Sequence, residues 1–302
     1  MRKRNLLEKL NEQKWSYLFI APGVFLFVVF VVGPLIASFY WSFTEYNGIQ
    51  PARWVGLENY KNIFFHDPRF WRSVVNTVFY TVCVIPPGVA LSLLLAIAVD
   101  QNIKGKNLFR VIYFIPSVTS VIALSVIWKW LFAGEKYGLI NHILILMGLD
   151  PVDWLMSPVW TLPAIIIMSI WAGIGYNMIL FLAGLQTIPA TVYEAADIDG
   201  ADIWDKFWHI TLPLLKPTTV FVVIMGFIAS FQVFESIYIM TETEFGIGGV
   251  LDSALTVVAY LYDMGFRKFQ MGYASALGYI VFAVVFTITM INIRFVKTKV
   301  EY

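Results

Sequence analysis

Charge is scarce in this 302-residue chain: 14% of its residues are Asp, Glu, Lys or Arg, against 59% that are hydrophobic. Globular domains are about one quarter charged, so the composition excludes an ordinary water-soluble fold. Cysteine is nearly absent. The lone Cys83 has no partner for an internal disulfide and sits in an apolar run, where it reads as a small packing residue. The three histidines, His66, His142 and His209, are scattered and no H-E-x-x-H pair occurs, which leaves a zinc site unsupported. There is no G-x-x-x-x-G-K-[ST] loop, so the chain lacks a means of its own to bind and hydrolyse ATP. The glycine run at 245–249 is no substitute, because it lacks the flanking strand and helix such a loop needs. With a net charge of +1 and basic residues spread along the chain, no stripe suits nucleic acid. The set of absences points away from an enzyme.

What the chain has instead is long apolar stretches. Runs free of Asp, Glu, Lys and Arg cover residues 15–44, 73–99, 111–128, 154–193, 217–234 and 269–293. About 20 helical residues cross a hydrocarbon core roughly 30 Å thick, so the expectation is an all-α integral membrane protein with six transmembrane helices. The run from Trp15 is far longer than the apolar part of a secretory leader and reads as a membrane helix. An N-terminus on the inner side puts most of the 21 basic residues inside. The organisation expected is an inner tail at 1–14, a first transmembrane helix at 15–44, an external loop at 45–72, a core of five helices at 73–296 and an inner tail at 297–302. Within the core, Pro86-Pro87 predicts a bend in the second helix, and Ile115-Pro116-Ser117 a break in the third. The fifth helix is expected to run from about Leu214 to Met240.

One dense polar island interrupts this pattern, in the segment 189–211. Glu194, Asp197, Asp199, Asp202 and Asp205 place five carboxylates within twelve residues, and Lys206 is the only cation nearby. Such an excess calls for an outside partner. Pro189 suits a helix start and Gly200 a tight turn, so the segment reads as helix, turn, helix. On the second piece Ile203, Phe207 and Ile210 share one face, beside Trp204 and Trp208. That piece is expected to pack, and the first to dock.

The island also carries a specific spacing, E-A-A-x3-G-x9-I-x-L-P, met by Glu194, Ala195, Ala196, Gly200, Ile210, Leu212 and Pro213. On these seven positions the chain resembles the membrane-spanning permease subunits of binding-protein-dependent ABC importers. The match is nearest to the first permease subunit of the carbohydrate-uptake group that serves maltose, multiple sugars and glycerol phosphate. The resemblance implies a type I importer permease fold whose inner loop is a coupling helix, with Glu194, Ala195, Ala196, Asp197, Gly200 and Asp202 meeting an ATP-hydrolysing subunit. It further implies two such subunits, a second homologous permease chain and an extracytoplasmic sugar-binding protein as partners, in a bacterial or archaeal cytoplasmic membrane. This chain would bind no cofactor or metal; ATP and Mg would sit on the partner.

For a sugar pathway the useful chemistry is aromatic plates, neutral hydrogen-bonding groups and small residues that let a ligand approach. Trp171, Gly173, Tyr176 and Asn177 offer this in the fourth helix, where the resemblance also places substrate contacts in a W-x-G-x-x-Y pattern. Gln232 and Glu235 are the candidates in the fifth, since polar groups inside a membrane helix commonly face a pathway. Many relatives carry a T-x-G-G-P turn in the outer loop 241–270, and this chain departs from it. The alternatives are a secondary transporter or channel for a small polar solute, and an importer for glycerol phosphate, which would want a basic group in the pore.

Overall fold

The structure, a computed structural model, describes residues 14–101, 104–134, 137–244 and 246–297. The expected tails at 1–14 and 297–302 therefore lie almost wholly outside the described residues. Among the described residues the regular structure is helical apart from one two-stranded hairpin and an isolated bridge between Thr243 and Gly246, both at the end expected to lie outside and called outer below. Among the described residues, four helices are long and apolar enough to cross a membrane, and two sharply bent pairs bring the number to six when each pair counts as one span.

The first span is α1 (Lys14–Phe27), a π-helical turn at Val28–Val32 and α2 (Gly33–Trp41). Its most apolar window has no buried residue, and its outer end packs where Phe39 meets Tyr279 edge-on at 5.0 Å. Outside follow the hairpin β1 (Thr44–Glu45) and β2 (Arg53–Trp54) and a short helix, α3 (Glu58–Phe65). Asn59 ties α3 to the chain before it by donating to the carbonyls of Ser42 and Thr44, both at 2.9 Å.

The second span, α4 (Pro68–Asp100), begins five residues before the expected boundary at Ser73. Its local signal is Asp67-Pro68: the aspartate accepts hydrogen bonds from the free N–H groups of Arg69 and Phe70, and proline at N1 has no N–H to leave unpaired. Pro86 and Pro87 lie inside a helix that continues for 33 residues.

The third span departs from expectation. α5 (Lys106–Val118) carries Pro116 without stopping there, then turns by 96° into α6 (Val121–Leu131). The turn falls at Thr119 and Ser120, whose backbone leaves the helical region at ψ 142° and 129°, and two hydroxyls satisfy carbonyls at the ending ladder. Ser117 donates to the Phe114 carbonyl and Thr119 to that of Ile115, each at 2.8 Å. An outer helix, α7 (Leu139–Leu146), follows, anchored by the buried Asn141. Its amide donates to the carbonyls of Ala133 and Val152 and accepts from the backbone N–H of Val152 and the Trp154 indole.

α8 (Thr161–Leu185) is the central span and packs against α4 along much of its length. α5 crosses it at Gly175, where an added Cβ would lie 1.9 Å from the Tyr113 carbonyl oxygen. The inner loop contains α9 (Ala190–Ile198), α10 (Ile203–Lys206), a π-helical turn at Phe207–Thr211 and α11 (Leu212–Leu214). A 64° bend at Leu215 leads into α12 (Lys216–Phe231). The single helix expected to reach Met240 is instead interrupted at Gln232–Phe234, and α13 (Glu235–Thr241) resumes beyond it. Thr256 donates to the freed carbonyl of Val233 at 3.0 Å, so the break is stabilised from the outer loop. α13 packs on α6, so the outer parts of the two broken spans lie together. Beyond them come α14 (Val257–Tyr262), a π-helical turn at Asp263–Arg267 and the last span, α15 (Met271–Lys297).

Two apolar clusters result. An outer one gathers Phe132, Ile165, Met168, Ile237, Met240, Leu255 and Leu277, and the partly buried Cys83 packs against it. An inner one gathers Leu93, Met178, Phe181, Leu215 and Val222.

Candidate functional site

The inner loop is built by local chemistry. Pro189 precedes α9, and Gly200 ends it at φ +77°, a conformation that costs glycine nothing. The Ala201 N–H reaches back to the Ala196 carbonyl at 2.9 Å and the Gly200 N–H to that of Asp197 at 3.2 Å, a doubly bonded helix end. Asp202 then caps α10 by accepting from the Asp205 N–H at 2.7 Å, and the Asp205 carboxylate answers at the Asp202 N–H. Asp197 pairs with Lys206. Of the five carboxylates, Glu194 and Asp199 alone have no hydrogen-bonding or ionic partner among the described residues.

Apolar exposure accompanies these free charges. Ile198 is 87% exposed, Ile203 82% and Trp204 70%, and Trp208 is also in the open. The expectation that the second piece packs holds for Phe207, which joins the inner cluster, and fails for Ile203, Trp204 and Trp208. Spacing placed those side chains on stripes, but α10 has only four residues, and the π-helical turn after it rotates the following residues off an ideal stripe. Ala196 is buried and Ala195 exposed, so α9 turns one side to the protein and the other outward.

In the membrane, a cavity of about 330 Å³ opens between α4, α8 and α12. Gly173, Tyr176 and Asn177 line it, together with Tyr80, Ser169, Met225, Ala229 and Ser230. No lining residue is charged. Its polar groups are hydroxyls and one amide, and its walls are aliphatic and aromatic. Gly173 has open space where a Cβ would stand, so of the two glycines in this stretch it faces room while Gly175 serves helix packing. Trp171 does not line the cavity; its ring lies against Trp128 at 5.5 Å. Gln232, in the break of the fifth span, and Glu235, the first residue after it, are also outside the lining and exposed.

A third constellation went unread in the sequence. On the outer side Arg69 grips Asp252 with two hydrogen bonds of 2.8 and 2.7 Å and reaches Asp263 at 3.1 Å. Lys268 approaches Asp263 at 3.4 Å, and Arg69 lies over the Tyr260 ring at 5.2 Å. Asp67 accepts from the hydroxyls of both Tyr260 and Tyr273. Burial and then this carboxylate hold the Tyr260 hydroxyl above the ordinary phenol range, so it remains a donor. Asn76 donates to the carbonyls of Asp252 and Leu255. The outer loop is thus fastened to the start of α4.

The model of the family described as binding-protein-dependent transport system inner membrane component matches residues 88–301. The arabinooligosaccharides transport system permease protein AraP of Bacillus subtilis is 36% identical over 281 residues, covering 92% of this chain and 87% of that protein. The trehalose/maltose transport system permease protein MalF of Thermococcus litoralis is 33% identical over 293 residues, covering 96% and 97%. Among solved structures, a chain of a bacterial ABC transporter involved in the import of the acidic polysaccharide alginate superposes with a TM-score of 0.86. It shares 23% identity and covers 99% of this chain and 100% of that one, which establishes a shared fold.

Proposed function

Because the chain belongs to the family of binding-protein-dependent transport system inner membrane components, we propose that it forms half of the membrane pathway of an ATP-driven importer for a neutral sugar or oligosaccharide. The reading is carried by the inner loop. It leaves Glu194 and Asp199 without partners beside exposed Ile198, Ile203 and Trp204, a surface that wants an apolar cleft with cations at its rim. An ATP-hydrolysing subunit offers such a cleft in this reading. ATP and Mg belong to that subunit, and this chain binds neither.

The neutral lining of the cavity supports the choice of substrate. Hydroxyls and an amide among aromatic and aliphatic walls suit sugar hydroxyls and C–H faces. A phosphorylated solute would meet no Lys or Arg there, which disfavours glycerol phosphate. The relatives named for arabinooligosaccharides and for trehalose and maltose point the same way. In the working assembly a second permease chain completes the pathway, two ATP-hydrolysing subunits dock inside, and a sugar-binding protein delivers from outside. The setting is a bacterial or archaeal cytoplasmic membrane with both termini inside.

Two measurements test this. Gentle purification of the tagged chain from its host is expected to recover an ATPase subunit and a second permease; recovery of the chain alone would defeat the reading. In the assembled importer, Asn177→Leu removes one hydrogen-bonding group from the cavity, worth about 1–1.5 kcal/mol. The sugar concentration giving half-maximal uptake should then rise by about tenfold. An unchanged value would remove Asn177 from the pathway.

A further inference from the structure

Asp197 and Lys206 occupy an unusual place in the inner loop. Lys206 is the sole lysine or arginine between residues 190 and 215, and five carboxylates compete for it. It pairs with Asp197, and its own side chain is largely shielded, at 21% exposure, while Asp197 stands at 65%. A second tie lies one helical turn earlier: the hydroxyls of Tyr193 and Thr211 meet at 3.0 Å, and Thr211 is buried. Tyr193 and Asp197 are four residues apart and share one face of α9. Both ties therefore run from that face to the returning leg of the loop. Glu194 and Ile198, also four apart, share a neighbouring face and are exposed.

We propose that the Asp197–Lys206 pair, with the Tyr193–Thr211 contact, is an internal brace that makes α9 and the start of the fifth span move as one piece. Asp197 and Lys206 are then positioning residues, which fix the aim of Glu194 and Asp199 and are not themselves contacts for the ATPase subunit. This rests on the importer reading above and refines it. The route is continuous. α9 is braced to Lys206 and Thr211; the chain passes through α11 to Leu215, which is 1% exposed in the inner cluster, and turns into α12. Val222, Met225, Gly226, Ala229 and Ser230 of α12 wall the cavity. A displacement of the docked helix reaches the cavity wall only if the loop does not fold up on the way. Gly200 at φ +77° and the short α10 are the places where it would fold. The brace spans them.

The test uses the assembled importer in proteoliposomes, with Asp197→Lys, Lys206→Asp and the double exchange. The quantities read are sugar accumulated per ATP hydrolysed and the amount of ATPase subunit recovered with the permease. Each single variant is expected to lower sugar per ATP by about tenfold while the ATPase subunit still co-purifies. The exchanged pair should return to within about threefold of the parent, since a direct charge interaction is restored by reversal of both partners. Single variants with the parent ratio would overturn the brace, as would a double exchange no better than the singles. Loss of the ATPase subunit on Asp197→Lys alone, unrescued by the exchange, would make Asp197 a docking contact and also overturn it. A parent preparation that neither recovers nor drives an ATPase would sink the importer reading, and the brace with it.

Discussion

The two ends of the molecule handle charge in opposite ways. Outside, the carboxylates of Asp67, Asp252 and Asp263 are all engaged within the chain, and Arg69 joins segments 183 and 194 residues apart in sequence. Inside, partners run out: one lysine serves five carboxylates, the ties span 18 residues or fewer, and apolar side chains stay in the open. Buried, mutually satisfied charge fixes a shape, since removing one partner strands the other in a poor solvent. Free charge beside exposed apolar surface has its stabilising partner elsewhere. The outer end is built to hold its own loop; on the importer reading proposed above, the inner end is left for a partner to meet.

The largest effect should come from breaking the inner side of this contrast. Glu194→Ala removes a carboxylate that, docked against a cation, is worth about 2–5 kcal/mol. Uptake and recovery of the ATPase subunit should fall at least about 30-fold, while the melting temperature of the isolated chain in detergent stays put, because the exposed Glu194 carboxylate has no hydrogen-bonding or ionic partner among the described residues. Normal uptake would end the assignment. A lowered melting temperature would mean that the inner end holds as well as docks.

Arg69→Met probes the outer side and should give the reverse pattern. Asp263, 6% exposed at its side chain, would keep only Lys268 at 3.4 Å and Arg267 at 3.9 Å, and Asp252 would lose its bidentate partner. A broken buried pair costs about 3–5 kcal/mol. With Arg69 33% and Asp252 23% exposed at their side chains, about 2 kcal/mol is the better expectation here. The isolated chain should melt earlier and its loop at 241–270 should become accessible to protease. Unchanged melting would show that the cluster is a surface ornament and erase the contrast.

Legibility in the sequence followed the same divide. Six apolar runs were visible because burial in lipid leaves no choice of composition. The inner loop was visible because its logic is local: Pro189, Gly200 and the E-A-A spacing lie within a few turns of one another, although the Asp202–Asp205 capping pair was not read. The outer cluster was not. Arg69 looked like any charge flanking a span, and nothing near it announced partners far along the chain. The breaks were half legible. Pro116 marked the third span, but the 96° turn waits for Thr119 and Ser120, and the interruption at Gln232–Phe234 depends on Thr256, which periodicity does not connect to it. Gly173 and Gly175 look interchangeable in sequence. Only the crossing of α5 separates them, since a methyl group at Gly175 would strike the Tyr113 carbonyl and one at Gly173 would meet open space. Trp171, grouped with Tyr176 and Asn177 by its aromatic chemistry and the W-x-G-x-x-Y pattern, turns its ring to Trp128 instead.

The smallest expected effect sharpens the contrast most finely. Arg53 pairs with Glu45 across the outer hairpin, and by charge and position it belongs to the outer end. If position alone decided the matter, Arg53→Ala should resemble Arg69→Met. The two pairs differ in solvent: the side chains of Arg53 and Glu45 are 76% and 68% exposed, whereas Asp263 is 6% exposed. Water screens the first pair, and ordering two long side chains costs entropy, so such contacts contribute roughly 0–1 kcal/mol. Arg53→Ala should leave the melting temperature within experimental error and the hairpin register of Thr44 with Trp54 intact. A loss comparable to that of Arg69→Met would mean that the outer end is held by the number of its charges and not by their burial, and the reading of Arg69 as the fastening point would have to be shared across the whole outer face.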